Sequence, residues 1–159
     1  MKALLVVDMQ EDYVGEIRNR KRFPYQSDVL IARIIQRISD CNKAGNLVIY
    51  VINRFFYQNK KYIPQPVKEL NIGSIKIFNK NRASCFSDFN LLQYLHDNNI
   101  TEVEIVGVDG NYCIAASARG GRKNGFSVTL NHSCIGIADQ EKFRKTVVSL
   151  EKVGVRIVN

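Results

Sequence analysis

Short, nearly continuous apolar runs alternate along this chain with stretches in which apolar residues recur every three or four positions. The runs Lys2 to Val7, Leu47 to Ile52, Ser74 to Phe78, Glu102 to Val106, Ser127 to Leu130 and Val155 to Val158 are short and β-rich, so each predicts a strand. They lack a regular polar face, which predicts strands covered on both sides, as in a parallel sheet. Between the first two, Leu30, Ile31, Ile34, Ile35, Ile38 and Cys41 share one helical face. They predict a helix from Asp28 to Ala44, with Ser27 as cap and Gly45 as stop. Asp88 to Asp97 carries Leu91, Leu92 and Leu95 behind Ser87 as cap. Gln140 to Val153 carries Phe143, Val147 and Leu150 between Asp139 and Gly154, so both predict further covering helices. Strand and helix alternating from end to end predict an α/β sandwich, a parallel sheet between helical layers, in one domain over 1–159. Two segments break the alternation, Glu11 to Gln26 and Phe55 to Leu70, and long loops of this kind often bind ligands.

Composition narrows the class. With 45% hydrophobic and 24% charged residues the chain is of ordinary globular type. No apolar run approaches the roughly 20 residues that span a bilayer. Asp8 ends the opening run before it reaches signal-peptide length, so a cytoplasmic protein without membrane partners is expected. The four cysteines, at 41, 85, 113 and 134, form no CxxC pair and read as free thiols. The net charge of +8 is densest at Arg18, Arg20, Lys21 and Arg22. No nucleic-acid-binding motif accompanies it, so no nucleic-acid partner is expected; a positive field instead favours an anionic small molecule.

In an open parallel sheet ligands bind beyond the carboxyl ends of the strands. The first strand ends at Asp8, the third is followed by Lys80, and the fourth leads through Gly107 to Tyr112 into Cys113. Cys113 is expected to open a helix made of the small residues that follow it. There the helix dipole, unpaired amides and a nearby Lys80 would lower the thiol pKa, and the amides could hold an oxyanion. Taken singly, Cys113 also fits a small buried residue, Asp8 a turn acid and Lys80 a solvated charge.

At these residues the sequence resembles the isochorismatase-like cysteine hydrolase superfamily, which includes nicotinamidases and N-carbamoylsarcosine amidohydrolases. Three motifs carry the resemblance, in the expected order. They are Ala3 to Gln10 with Asp12 and Tyr13, Lys80 to Phe86, and Val106 to Ala118 with its Cys113. The resemblance implies a six-stranded, Rossmann-like parallel sheet flanked by helices, and a site with Asp8 as general base, Lys80 as charge-stabilising partner and Cys113 as nucleophile. It implies a non-proline cis peptide between Val108 and Asp109, which aims the Asp109 and Cys113 amides into an oxyanion hole. Isochorismatases proper lack the cysteine, so amide or ureido C–N hydrolysis through a thioester is the expected chemistry. A homo-oligomer, dimer or tetramer, is implied as well.

Departures from the family pattern bear on the substrate. Nicotinamidases carry an Asp-x-His pair after the second strand and further histidines that bind a metal; here that place reads Asn53, Arg54 and Phe55, and the two histidines are His96 and His132. No metal and no cofactor is expected, and nicotinamide becomes one candidate among several small amides. Arg54 and Arg82 are candidates for recognising a substrate carboxylate, since a guanidinium binds that group through paired N–H donors. Ordinary solvated loop arginines would read the same way. Tyr13, Phe86 and Val108 are candidate pocket walls, although Tyr13 and Phe86 would look identical as core aromatics. His96 reads as a surface residue, and His132, after the fifth strand, as structural support for the site. The competing reading is a catalytically idle binding or thiol-sensing protein of the same fold. A dinucleotide-binding protein is disfavoured because the segment after the fourth strand lacks GxGxxG spacing.

Overall fold

The computed structural model describes residues 1–55, 57–71 and 75–159. Its strands are β1 (Lys2–Val7), β2 (Leu47–Asn53), β3 (Lys76–Lys80), β4 (Glu102–Val108), β5 (Ser127–Gly136) and β6 (Arg156–Val158), and its helices are α1 (Ser27–Lys43), α2 (Phe89–Asp97), α3 (Ala115–Lys123) and α4 (Gln140–Glu151). All strand pairs are parallel and the sheet order is β3-β2-β1-β4-β5-β6.

Alternate side chains of a strand point to opposite faces, so a continuous apolar run feeds two cores. In β1, Ala3, Leu5 and Val7 enter one core while Leu4 and Val6 enter the other. Leu30, Ile31, Ile34, Ile38 and Cys41 of α1 close the second core. Leu91 and Leu95 of α2, Ala115 and Ala118 of α3, and Leu150 of α4 close the first. This is the expected three-layer α/β arrangement.

A bidentate ion pair ties α1 to the sheet. Arg37 donates to the buried Glu104 carboxylate at 2.6 and 2.7 Å, and Lys2 approaches it to 2.7 Å. Burial would raise the Glu104 pKa, but the two cations outweigh it and hold it at about 2.

Several expected boundaries shift for local reasons. Ser27 lies inside α1 with its buried hydroxyl unpaired among the described residues, and Gln26 occupies the cap position without a side-chain bond. Asp88 rather than Ser87 caps α2, accepting from the Asn90 N–H at 3.0 Å, while the Ser87 hydroxyl donates to Ser84 O at 2.7 Å. Asp139 caps α4 as expected. Ile35, placed on the inner face of the first helix, is 41% exposed. Strand β5 continues past Leu130 through the polar Asn131 to Ser133, which hid its extension, and its register against β4 shifts between Ile105 and Gly107. The expected third strand began at Ser74, which lies outside the described residues; β3 runs on to Lys80.

The strand order reverses between β1 and β4, so the crevice of this sheet opens beyond the ends of those two strands. Gly107 makes their close approach there possible. Its φ is +120°, and a Cβ would stand 2.0 Å from the Val7 carbonyl oxygen.

Candidate functional site

Three strand ends deliver one cluster. Asp8, immediately after β1, adopts a left-handed φ of 56° and is fixed by its N–H to Val51 O at 2.8 Å. Lys80 ends β3 and reaches past the end of β2, placing Nζ 2.9 Å from Asp8 Oδ2 and 3.3 Å from Cys113 Sγ. The ammonium also donates to Arg82 O at 3.3 Å. β4 passes through the cis Val108–Asp109 peptide into a π-helical turn, Gly110–Ile114, that carries Cys113. Cys113 therefore sits just ahead of α3 instead of opening it.

Electrostatics in this cluster differ from the sequence expectation. Burial and the Asp8 carboxylate push the Cys113 thiol up to about 12, against the opposing pull of Lys80. The expected lowering by Lys80 operates but loses. Burial also raises the Asp8 pKa, with Lys80 only partly compensating. For Lys80, burial favours the neutral amine, yet Asp8 and Cys113 outweigh it and hold the ammonium above its ordinary range. One acceptor remains open: Asp8 Oδ1 is buried without a partner in hydrogen-bond geometry among the described residues, while Cys113 is near enough to influence the titration of Asp8.

The turn before Cys113 is built around the Asp109 side chain. Tyr25 Oη and Ala138 N–H donate to Asp109 Oδ2 at 3.0 and 2.8 Å, and Asn111 N–H donates to Oδ1 at 2.8 Å. The Tyr112 and Ile114 amides both donate to Asp109 O at 3.1 Å. The Asp109 N–H, just past the end of β4, finds no acceptor among the described residues. The small residues of α3 serve the segment after Lys80. Ser117 Oγ accepts from Cys85 N–H at 3.0 Å, and a Cβ on Gly121 would stand 3.1 Å from the Phe86 ring.

A cavity of about 560 Å³ opens over this cluster, lined in part by Asp8, Asp109 and Cys113. Of the candidate binding residues, Tyr13 and Val108 line it too. Phe86 does not; it is buried against Phe126, with ring centroids 5.5 Å apart. Arg54 lines a different cavity and donates to Lys60 O at 2.6 Å. Arg82 is exposed and contributes only its carbonyl, through the bond from Lys80. His132 lies within β5, exposed, its ring 5.6 Å from that of Phe143, and it does not line the cavity. His96 is exposed beside Phe126.

Sequence reasoning missed Arg22, Phe23, Tyr25, Asn53, Phe55 and Tyr112 as lining residues. The available signal was aromatic residues in a polar loop: Tyr13 and Phe23 are partly buried and Tyr25 is 7% exposed, as loop side chains are when they wall a site.

Carboxylate, ammonium and thiol thus gather at the switch point of a three-layer α/β fold. The family model described as Isochorismatase domain matches residues 2–159, and the chain belongs to that hydrolase family. Among solved structures, an isochorismatase-like hydrolase from Alkaliphilus metalliredigens is similar at a TM-score of 0.84 and 20% identity, covering 99% of this chain and 94% of that one. The pyrazinamidase of Pyrococcus horikoshii in complex with zinc has a TM-score of 0.77 and 22% identity, over 99% and 98%. N-carbamoylsarcosine amidase from Thermoplasma acidophilum has a TM-score of 0.81 and 16% identity, over 98% and 94%. No curated protein matches the sequence.

The residues here do not fit a zinc site. Asn53, Arg54 and Phe55 offer no histidine or carboxylate, and among the described residues no group of three or more His, Cys, Asp or Glu side chains is placed to hold a metal ion.

Proposed function

We propose that the protein hydrolyses a carbon–nitrogen bond, amide or ureido, of a small molecule through a thioester on Cys113. The observation that carries this reading is the Lys80 ammonium set between the Asp8 carboxylate and the Cys113 thiol, both of which line a cavity. With the proton on sulfur, the buried cluster holds one positive and one negative charge. Moving that proton from Sγ to Asp8 Oδ1 relocates the negative charge without adding a net charge to a buried place. A thiol held up to about 12 is therefore not idle; its proton has an acceptor beside it.

The thiolate attacks the substrate carbonyl carbon, and the oxygen that gains the electron pair is received by the Asp109 and Cys113 N–H groups. The tetrahedral species collapses by breaking the C–N bond, and Asp8 returns its proton to the departing nitrogen. Water then attacks the thioester carbon, giving its proton to Asp8; the C–S bond breaks, Cys113 regains a proton, and the acid leaves. Lys80 balances whichever member of the cluster carries the negative charge. The pyrazinamidase and the N-carbamoylsarcosine amidase among the structural neighbours are amidases by name, which supports this bond class. The raised thiol pKa counts against the thiol-sensing alternative, because sensor cysteines are exposed thiolates of low pKa.

Ammonia release from a panel of primary amides and ureido compounds, with and without added hydroxylamine, tests the proposal. Release together with hydroxamate formation is expected, because a thioester partitions to the stronger nucleophile. No release and no hydroxamate across the panel would favour the idle binding reading.

A further inference from the structure

The charged side chains that line the cavity are Asp8, Asp109 and Arg22. Asp8 is paired with Lys80, and Asp109 takes three hydrogen bonds. Arg22 has no acidic partner among the described residues; its guanidinium lies against the Phe23 ring, 5.3 Å from the centroid, and that ring lines the same cavity. The loop presenting it is braced. Arg18 donates to the carbonyls of Gly15, Phe23 and Tyr25 at 3.0, 3.3 and 3.3 Å, and Asn19 Oδ1 accepts from the Lys21 and Arg22 N–H groups at 3.1 Å. A guanidinium steadied on an aromatic face keeps its in-plane N–H fork free for a planar anion.

A second cation stands at another wall. Lys142 Nζ lies 4.4 Å from the centroid of the cavity-lining Tyr112 ring and donates to its hydroxyl at 3.3 Å. Arg54, the sequence's candidate for this task, is committed to Lys60 O outside the cavity.

We infer that the substrate of this site is an amide or ureido compound bearing a carboxylate remote from the scissile bond, and that Arg22 binds that carboxylate. The inference rests on the hydrolase reading for its scissile group and on Arg22 for its anion. A guanidinium pairs through two parallel N–H bonds with a group that offers two coplanar oxygens, as a carboxylate does. Aromatic walls formed by Tyr13, Phe23, Phe55 and Tyr112 suit a flat or slender body between the two ends.

The test uses matched pairs of compounds: 4-carbamoylbenzoate with 4-methylbenzamide, glutaramate with pentanamide, and 3-ureidopropanoate with propylurea. kcat/KM is measured on the native protein and on Arg22→Gln, and calorimetric affinity on Cys113→Ala and on Cys113→Ala with Arg22→Gln. The charged member of at least one pair should be favoured by about ten-fold or more in both readouts, and Arg22→Gln should bring that ratio close to one. Equal or better use of the neutral members, an unchanged ratio in Arg22→Gln, or no binding of any charged member overturns the inference. The two readings fail separately. Arg22-dependent binding without turnover removes the hydrolase reading and leaves the anion site; cysteine-dependent turnover without charge preference does the reverse.

Discussion

Lys80 Nζ stands 2.9 Å from Asp8 Oδ2 in a place where both side chains are buried. Removing one partner of such a pair strands the other as an uncompensated charge, whereas removing both does not. Lys80→Met should therefore cost about 3–5 kcal/mol in urea unfolding at neutral pH. The loss should shrink as falling pH protonates Asp8, and Asp8→Asn combined with Lys80→Met should recover much of it. A Lys80→Met protein as stable as the native one would show that the pair is solvated.

Asp8 and burial hold the Cys113 thiol up to about 12, and Lys80 opposes them. Asp8→Asn removes the negative charge and keeps the ammonium, so two effects with opposite signs are expected. Turnover should fall by about 10²–10⁴-fold for want of a base, while iodoacetamide should alkylate Cys113 faster at neutral pH than in the native protein. Alkylation that slows in Asp8→Asn would contradict the assigned electrostatics.

Glu104 gives a separate, acid-side signature. Its folded pKa of about 2 lies below the ordinary value of 4.5, so its ion pairs stabilise the fold fully above about pH 4.5 and lose their effect as pH falls toward 2. The shift corresponds to about 3 kcal/mol. Glu104→Gln should lose much of that stability at neutral pH and flatten the acid limb of the stability profile. An unchanged acid limb would place the native acid sensitivity elsewhere.

Tyr25 touches the site through Asp109, donating to Oδ2 at 3.0 Å. Tyr25→Phe keeps the ring that lines the cavity and removes only the donor. The turn that carries the Asp109 and Cys113 amides is then less firmly held, so kcat should drop by about ten-fold, equivalent to about 1.4 kcal/mol, with KM little changed. A rise in KM at constant kcat would mean that Tyr25 serves binding instead.

The layered fold was legible because apolar periodicity is a local signal. Leu4 and Val6 against Leu5 and Val7 announce a strand buried on both faces, and Leu30, Ile31, Ile34 and Ile38 a one-sided helix. The candidate triad was legible because parallel strands bring their carboxyl ends to one edge, where Lys80 stands within ion-pair reach of Asp8 and hydrogen-bond reach of Cys113. The cavity walls were not legible. Arg22, Tyr25 and Phe55 come from loops whose paths are set by distant contacts, such as Arg18 with the carbonyls around it and Tyr25 with Asp109, and spacing along the chain does not encode those contacts. Phe86 illustrates the converse, an aromatic in a motif segment that turns into the core because Gly120 and Gly121 leave room for its ring. The thiol pKa was misjudged because burial, which a sequence does not display, outweighs the neighbouring ammonium.

The most direct test of the central claim is turnover by Cys113→Ala on whichever amide or ureido compound the native protein hydrolyses. The account predicts a loss of at least about 10³-fold in kcat with the thermal unfolding midpoint essentially retained, since only the nucleophile is removed. Undiminished ammonia release by a folded Cys113→Ala protein would contradict it, and the cluster at the switch point would then be structural.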